Sequence, residues 1–570
     1  MTDTQHGAAQ WWKNAVVYQL YVRSFADADG DGIGDLEGIR SRLDYLQNLG
    51  VDAIWLTPCF PSPQRDHGYD VADYFSIHDE YGSVEIFDRL VADARTRGIR
   101  IMMDVVPNHC SSAHPWFQEA LAAPAGSPER ARFYFRDGTG EHGSEPPNNW
   151  RAWFGGSAWS QIVDADGSRG QWYLHLFTPW QPDFNWDNDD VAQLFDDMLT
   201  FWFDHGVEGF RVDAVAVVGK APGLPDMPAA PDGVRVTDLA LYNPHVLFRP
   251  EGHLPWKRWR RLTDDYAAAH PGRPVFFVAE AYSPGRPDRV LEYLRGDEFH
   301  QVFSFDLLLA QWNAEQFHAA IADSISVLGS KGVPLVWTLN NHDAQRSVTR
   351  YGREDATDPG RFSGNNLINS EAPVHLELGI RRARAAALIT LGLPGAAYLY
   401  QGEELGLHEY VDMHPEARQD PIFVSTDGRE LGRDGCRVPL PWTTDAAGAH
   451  GFSPASSETA PWLPQPADWG TWSAEDEDTD PASVLSLYRT AIAIRRAFVG
   501  RGAGSSNDFA FIATPAGMLG FRNGPLAVFV NFTPDALPLP AGHGSRLALS
   551  SNCGHDDPTT VPGDSAVWIA

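Results

Sequence analysis

The chain has 570 residues, 43% of them hydrophobic, enough apolar material for one large domain with one or two smaller ones. A formal net charge of −31 argues against nucleic acid and anionic membrane surfaces as partners and favours a neutral substrate. The four cysteines, Cys59, Cys110, Cys436 and Cys553, are too widely and irregularly spaced for a zinc site or a dense disulfide framework.

Residues 1–10 are polar and lack the apolar segment of a signal peptide, and no run of about 18 apolar residues exists to span a membrane. The expectation is a cytoplasmic protein, monomer or homodimer, with no membrane partner. The first strand-like run covers residues 15–22. It is followed by Asp27-Ala28-Asp29-Gly30-Asp31-Gly32-Ile33-Gly34-Asp35, with carboxylates at alternate positions and glycines between them. Asp27, Asp29, Asp31 and Asp35, with the backbone carbonyl of Ile33, form the kind of oxygen-rich loop that wraps a hard divalent cation. Calcium suits its loose shell better than magnesium, which stays as the alternative. Gly38 stands where an EF-hand would need Glu, so the loop is read as a structural site of another kind.

Residues 36–49 have apolar positions at helical spacing and stop at Gly50, and residues 84–97 repeat the pattern up to Gly98. Further strand-like runs cover 52–58, 100–106, 209–214, 275–281, 302–307, 334–340 and 396–402. Eight such runs alternating with helices predict a (β/α)8 barrel. About a hundred residues rich in Pro, Gly, Asn and Trp separate the third and fourth runs, too many for a βα loop. Residues 110–187 are therefore read as an inserted subdomain, with the barrel in two parts, 1–109 and 188–499. An irregular stretch over 406–470 is expected to form another wall of the site. A helix over 482–499 and short alternating strands after it predict a C-terminal antiparallel β-domain, a sandwich over 500–570.

Three of the runs end in carboxylates: Asp213, Glu280 and Asp343. Carboxylates at successive strand ends are how a barrel builds an active site, and two are the minimum for cleaving a glycosidic bond. Arg211 shares a strand face with Asp213, so it is expected to lower that carboxyl's pKa and keep it ionised, as a nucleophile requires. Glu280 would need the opposite shift to act as an acid. His109, closing the third run, and His342, beside Asp343, are candidates to donate hydrogen bonds to sugar hydroxyls.

Residues 104–109, 209–213, 278–280, 341–343 and 181–186 together resemble the ordered motifs of glycoside hydrolase family 13, the α-amylase family. The opening Trp12-Lys13-Asn14-Ala15-Val16-Val17-Tyr18-Gln19, the aspartate-rich loop and Pro146-Pro147-Asn148-Asn149-Trp150 are most similar to its α-glucosidases and oligo-1,6-glucosidases. The resemblance implies that Asp213 is the nucleophile, Glu280 the general acid/base and Asp343 a holder of sugar hydroxyls, in a retaining reaction with the reacting carboxyls about 5 Å apart. It implies that Asp66 and Tyr69 recognise the non-reducing glucose, that Asp66 and Arg437 close the pocket behind it, and that Phe154, Phe177 and Gln181 line it. A closed pocket implies exo-action on a small neutral sugar. Ala214, after the nucleophile, favours α-1,4 over α-1,6 linkages. Transglucosylation, trehalose synthase-like isomerisation and sucrose- or isomaltose-directed action remain as alternatives, and a non-catalytic binding subunit as a remote one.

Overall fold

The structure is a computed structural model and describes residues 10–163, 168–234, 236–283, 286–357, 372–499, 508–543 and 546–570. Eight parallel strands form one sheet: β1 (Val16–Leu20), β2 (Ala53–Leu56), β3 (Arg100–Val105), β4 (Gly209–Val212), β5 (Phe276–Ala279), β6 (Gln301–Val302), β7 (Val336–Thr338) and β8 (Ala396–Tyr400). Their order, β7-β8-β1-β2-β3-β4-β5-β6, wraps β8 against β1 and makes a nearly closed barrel. Every residue of β1, β2, β4, β5, β7 and β8 is buried, which is why these runs read as continuous apolar stretches without alternation. One interior layer is apolar, built by Val17, Ala53, Met102, Phe276, Val336 and Ala396. Above it the filling turns polar, because Asp104 on β3 stands opposite Arg211 on β4 in the parallel register.

The sixth run departs from expectation. The strand is only Gln301–Val302, and Asp306–Leu309 is a helical turn. Three consecutive leucines carry no period of two, and here Leu308 and Leu309 reach the cavity above the barrel instead. The helix expected over 36–49 is two helices, Leu36–Ser41 and Leu43–Leu49, broken at Arg42. Asp35 caps the first by accepting from the Gly38 amide at 2.7 Å. Gly50 ends the second in the left-handed region, at φ 91°. Val84–Thr96 buries Phe87, Leu90, Val91 and Ala94, one stripe at helical spacing, with Ser83 as its N-cap.

Between β3 and β4 lies a three-stranded antiparallel sheet of Phe135–Arg136, Arg169–Leu174 and Trp159–Val163, and isolated bridges outside it pair His109 with Asp183 and Phe133 with Phe184. After the helix Val484–Val499 the chain builds a five-stranded antiparallel sheet, with Leu526–Asn531 and Ser565–Ile569 at its centre. It packs on the helix Leu376–Gly392, where Trp568 donates to the Leu388 carbonyl at 3.0 Å.

Candidate active site

The two central carboxylates are set side by side by backbone pairing that runs past the strands. The Asp213 amide donates to the Val105 carbonyl, and the Glu280 amide donates to the Val212 carbonyl, each at 2.9 Å. Ala214 then turns into the left-handed region, φ 48° and ψ 37°, a conformation costly for any residue with a Cβ. That turn aims the Ala214 amide at Glu280 Oε2, 3.2 Å away.

Arg211 lies beneath both. Its Nη1 holds Asp213 Oδ1 at 2.7 Å and Asp104 Oδ1 at 3.0 Å, and its Nη2 holds Glu280 Oε2 at 2.5 Å. One guanidinium thus answers three carboxyls. The expected direction of the Asp213 shift is corrected. Burial, reinforced by Glu280 and Asp104, outweighs Arg211 and holds the Asp213 carboxyl well above the ordinary carboxylate range. Asp104 is likewise pushed up to about 7 by burial against Arg211. With one positive charge among three acids, Arg211 does not offset the burial of Asp213 and Asp104.

Asp343 behaves in the opposite way. Burial pushes its carboxyl up, but His342, Arg433 and Arg437 together hold it far below the usual range. Arg433 Nη1 and Arg437 Nη2 share its Oδ1 at 3.1 and 2.8 Å. Burial keeps His342 and His109 neutral, His109 pushed down to about 3. His342 is fixed from both sides, Nδ1 by Gln19 Nε2 and Nε2 by the Tyr69 hydroxyl, each at 2.6 Å. Tyr69 stacks on the same imidazole at an interplanar angle of 1° and donates to Asp104 Oδ2 at 3.0 Å.

One cavity of about 200 Å3, below the roughly 300–1,000 Å3 of drug-sized sites, joins most of the sequence-predicted residues. Asp66, Tyr69, His109, Phe154, Phe177, Asp213, Glu280, His342 and Asp343 all line it. Gln181, Arg211 and Arg437 stand behind that lining. Gln181 Nε2 donates to Asp66 Oδ2 at 2.9 Å. The expectation for Arg437 is corrected: its side chain is fully buried, and it grips the His342 carbonyl and Asp343 from below. The ion pair with Asp66 belongs to Arg433, whose Nη2 reaches Asp66 Oδ1 at 2.9 Å while its Nε reaches Asp420 Oδ2 at 2.6 Å. Arg433, Trp153, Tyr282 and Asn341 line the cavity without having been singled out beforehand. For Arg433 the only available signal was its place in the same short segment as Arg437.

In the loop after β1, carboxylate oxygens of Asp27, Asp29 and Asp35 lie within 4.8 Å of one another. Asp31 stands outside this trio, its Oδ1 accepting from the Ile33 amide at 2.8 Å. Burial, with Asp29 and Asp27 adding like charge, pushes Asp31 up to about 6. A hard, all-oxygen donor set under mutual repulsion fits a divalent cation. Among the described residues no helix is long and apolar enough to cross a membrane.

Residues 19–500 match the alpha amylase catalytic domain. The probable alpha-glucosidase of Rhizobium meliloti (strain 1021) is 34% identical over 524 residues, covering 90% of this chain and 86% of that one. The oligo-1,6-glucosidase IMA5 of Saccharomyces cerevisiae is 31% identical, covering 85% and 84%. Among solved structures, the alpha-glucosyl transfer enzyme XgtA superposes with a TM-score of 0.81 at 34% identity, covering 98% of this chain and 99% of that one.

Proposed function

The chain belongs to the α-amylase family and is a glycoside hydrolase, and from that premise we propose that it is a retaining, exo-acting α-glucosidase releasing α-glucose from short neutral α-glucosides. The observation that carries the reading is the Asp66–Arg433 ion pair at the cavity wall, with Asp343 on the same guanidinium. A pocket sealed by a buried ion pair takes one terminal sugar and leaves no path for a long chain.

In this reading the carboxylate form of Asp213, hydrogen-bonded to Arg211, attacks C1 and forms a covalent glucosyl-enzyme. Glu280 in its acid form passes a proton to the departing glycosidic oxygen, and then takes one from the water that attacks C1 and displaces Asp213. Asp343 and Asp66 receive the hydroxyls of the sugar, and neutral His109 and His342 line the same cavity. One guanidinium under both reacting carboxyls suits the separation of about 5–5.5 Å that retention requires. Ala214 supports α-1,4 preference. Interception of the intermediate by a sugar in place of water gives transglucosylation, and XgtA is an alpha-glucosyl transfer enzyme. We further propose a cytoplasmic enzyme, monomer or homodimer, with Ca2+ held by Asp27, Asp29, Asp31, Asp35 and the Ile33 carbonyl as a structural charge.

Time-resolved proton NMR with maltose tests the reaction. Early α-glucose supports the reading, whereas trehalose or new α-linked oligosaccharides with little free glucose move it to an isomerase or transglucosylase. Action on isomaltose alone overturns the linkage preference. Chelation should lower the melting temperature by several degrees and calcium should restore it.

A further inference from the structure

The aspartate loop is tied through one side chain to residues that stand behind the sugar pocket. Gly32 takes φ 90°, and a Cβ placed there would lie 2.4 Å from the Ala460 carbonyl oxygen, so the loop backbone docks directly on the irregular segment after β8. Next to that contact, the Trp462 amide donates to the Gly32 carbonyl at 3.0 Å. The indole of Trp462 lies behind the pocket lining, against Arg23, Tyr21 and His67. Its indole Nε1 donates to Ser24 Oγ at 2.9 Å, and Ser24 Oγ donates in turn to the Arg437 carbonyl. Its ring carries the Arg23 guanidinium at 4.4 Å and stacks near Tyr21 at 6.2 Å. Arg23 Nη1 meets His67 Nδ1 at 3.1 Å, and His67 is the neighbour in sequence of Asp66. Both carboxylates that would take sugar hydroxyls, Asp343 through Arg437 and Asp66 through His67, are therefore one residue removed from what Trp462 touches.

We propose that Trp462 is a positioning residue that couples cation occupancy of the loop at 27–35 to the affinity of the sugar pocket, an inference that rests on the cation reading of that loop. Without a cation, the clustered carboxylates of Asp27, Asp29 and Asp35 repel one another and the loop relaxes away from that spacing. Gly32 moves with it, and the displacement passes through the Trp462 backbone to the indole, to Ser24 and Arg437, and to Arg23 and His67. The coupling acts on binding of the sugar and leaves the Arg211 cluster untouched, so it falls on KM and not on kcat. By linkage it is reciprocal: a ligand in the pocket tightens the cation by the same factor.

The test is calorimetric titration of metal-free full-length enzyme with calcium chloride, and with the glucose-shaped inhibitor 1-deoxynojirimycin in the presence and absence of calcium. The wild type is expected to bind the inhibitor about fivefold or more tightly with calcium, the low end of known coupling strengths, and calcium equally more tightly with inhibitor. In Trp462→Ala both ligands still bind, and the factor falls to about one. Trp462→Phe keeps the ring over Tyr21 and Arg23 and loses only the bond to Ser24, so an intermediate factor is expected; it also decides the matter if the alanine variant does not fold. Calcium binding with no change in inhibitor affinity overturns the coupling and leaves the cation reading intact. Full coupling surviving in the folded variants overturns the role of Trp462. No calcium binding in the wild type removes both.

Discussion

Replacing Arg433 with methionine, which keeps an unbranched apolar stem and removes the charged head, measures what closes the pocket. Arg433 serves three carboxylates, but their losses differ. Asp343 keeps Arg437 at 2.8 Å, and Asp420 keeps the same residue at 3.7 Å. Among the described residues Asp66 keeps the Gln181 amide at 2.9 Å but no other ion pair. The variant therefore leaves one buried carboxylate without a charged partner, a loss of about 3–5 kcal/mol when the group stays ionised. Burial already raises the Asp66 carboxyl, and removing Arg433 raises it further. A carboxyl raised in the folded state binds more protons than it does unfolded, so its contribution falls as pH climbs through that window. The stability deficit of Arg433→Met should thus be smaller at pH 5 than at pH 8 in thermal melts. In kinetics, a protonated or displaced Asp66 loses a charge-assisted hydrogen bond to the sugar of about 1.5–3 kcal/mol, roughly 10- to 150-fold in kcat/KM, carried mainly by KM. Adding Asp66→Asn should recover part of the stability and none of the KM. A variant that melts with the wild type at both pH values, with KM unchanged, would refute the reasoning.

Asp213→Asn leaves Arg211 bound to Asp104 and Glu280 and should cut turnover by at least about 10³-fold, some 4 kcal/mol of barrier, with the fold intact by circular dichroism. Near-normal turnover would remove Asp213 from the chemistry. Ala214→Gly should melt at or above the wild-type temperature because it relieves the left-handed turn, whereas Ala214→Val should lose about 1–2 kcal/mol; equal melting of the two would contradict the strained backbone. His109 and His342 are neutral when folded and accept protons near the ordinary value of about 6.5 when unfolded, so the stability they contribute is complete above that pH and is lost as pH falls. His109→Asn should flatten the acid limb of the melting profile between about pH 6.5 and 4, and an unchanged limb would show that the ring is charged in the folded enzyme.

Much of the barrel was legible because a parallel strand covered on both faces leaves a short β-branched run with a glycine or polar stop beside it. β1, β2 and β3 show this, and so does the pair of strands ending at Asp213 and Glu280. Legibility failed where a residue's neighbours are distant in sequence. The i, i+2 rule placed Arg211 next to Asp213, but only the register that sets Arg211 opposite both Asp104 and Val278 brings it under Glu280 as well. That register decides the electrostatics, since it divides one positive charge among three acids.

The pair Arg433 and Arg437 shows the same limit at shorter range. They are separated by the 3-10 turn Asp434–Cys436, and either could have faced Asp66 as far as sequence spacing tells. The deciding fact is depth. Arg437 has its guanidinium sealed under the His342 carbonyl, so its charge can be felt by Asp343 but not presented to a ligand. Arg433 stands one layer higher, with Asp420 fixing its Nε and both Nη atoms free to reach pocket carboxylates. Asp420 lies in the irregular stretch after β8, whose residues carry no periodicity to announce them. The wall that makes the pocket take one sugar is thus set by a segment whose sequence reads only as loop, and the strand ends that the sequence displays plainly supply the chemistry behind it.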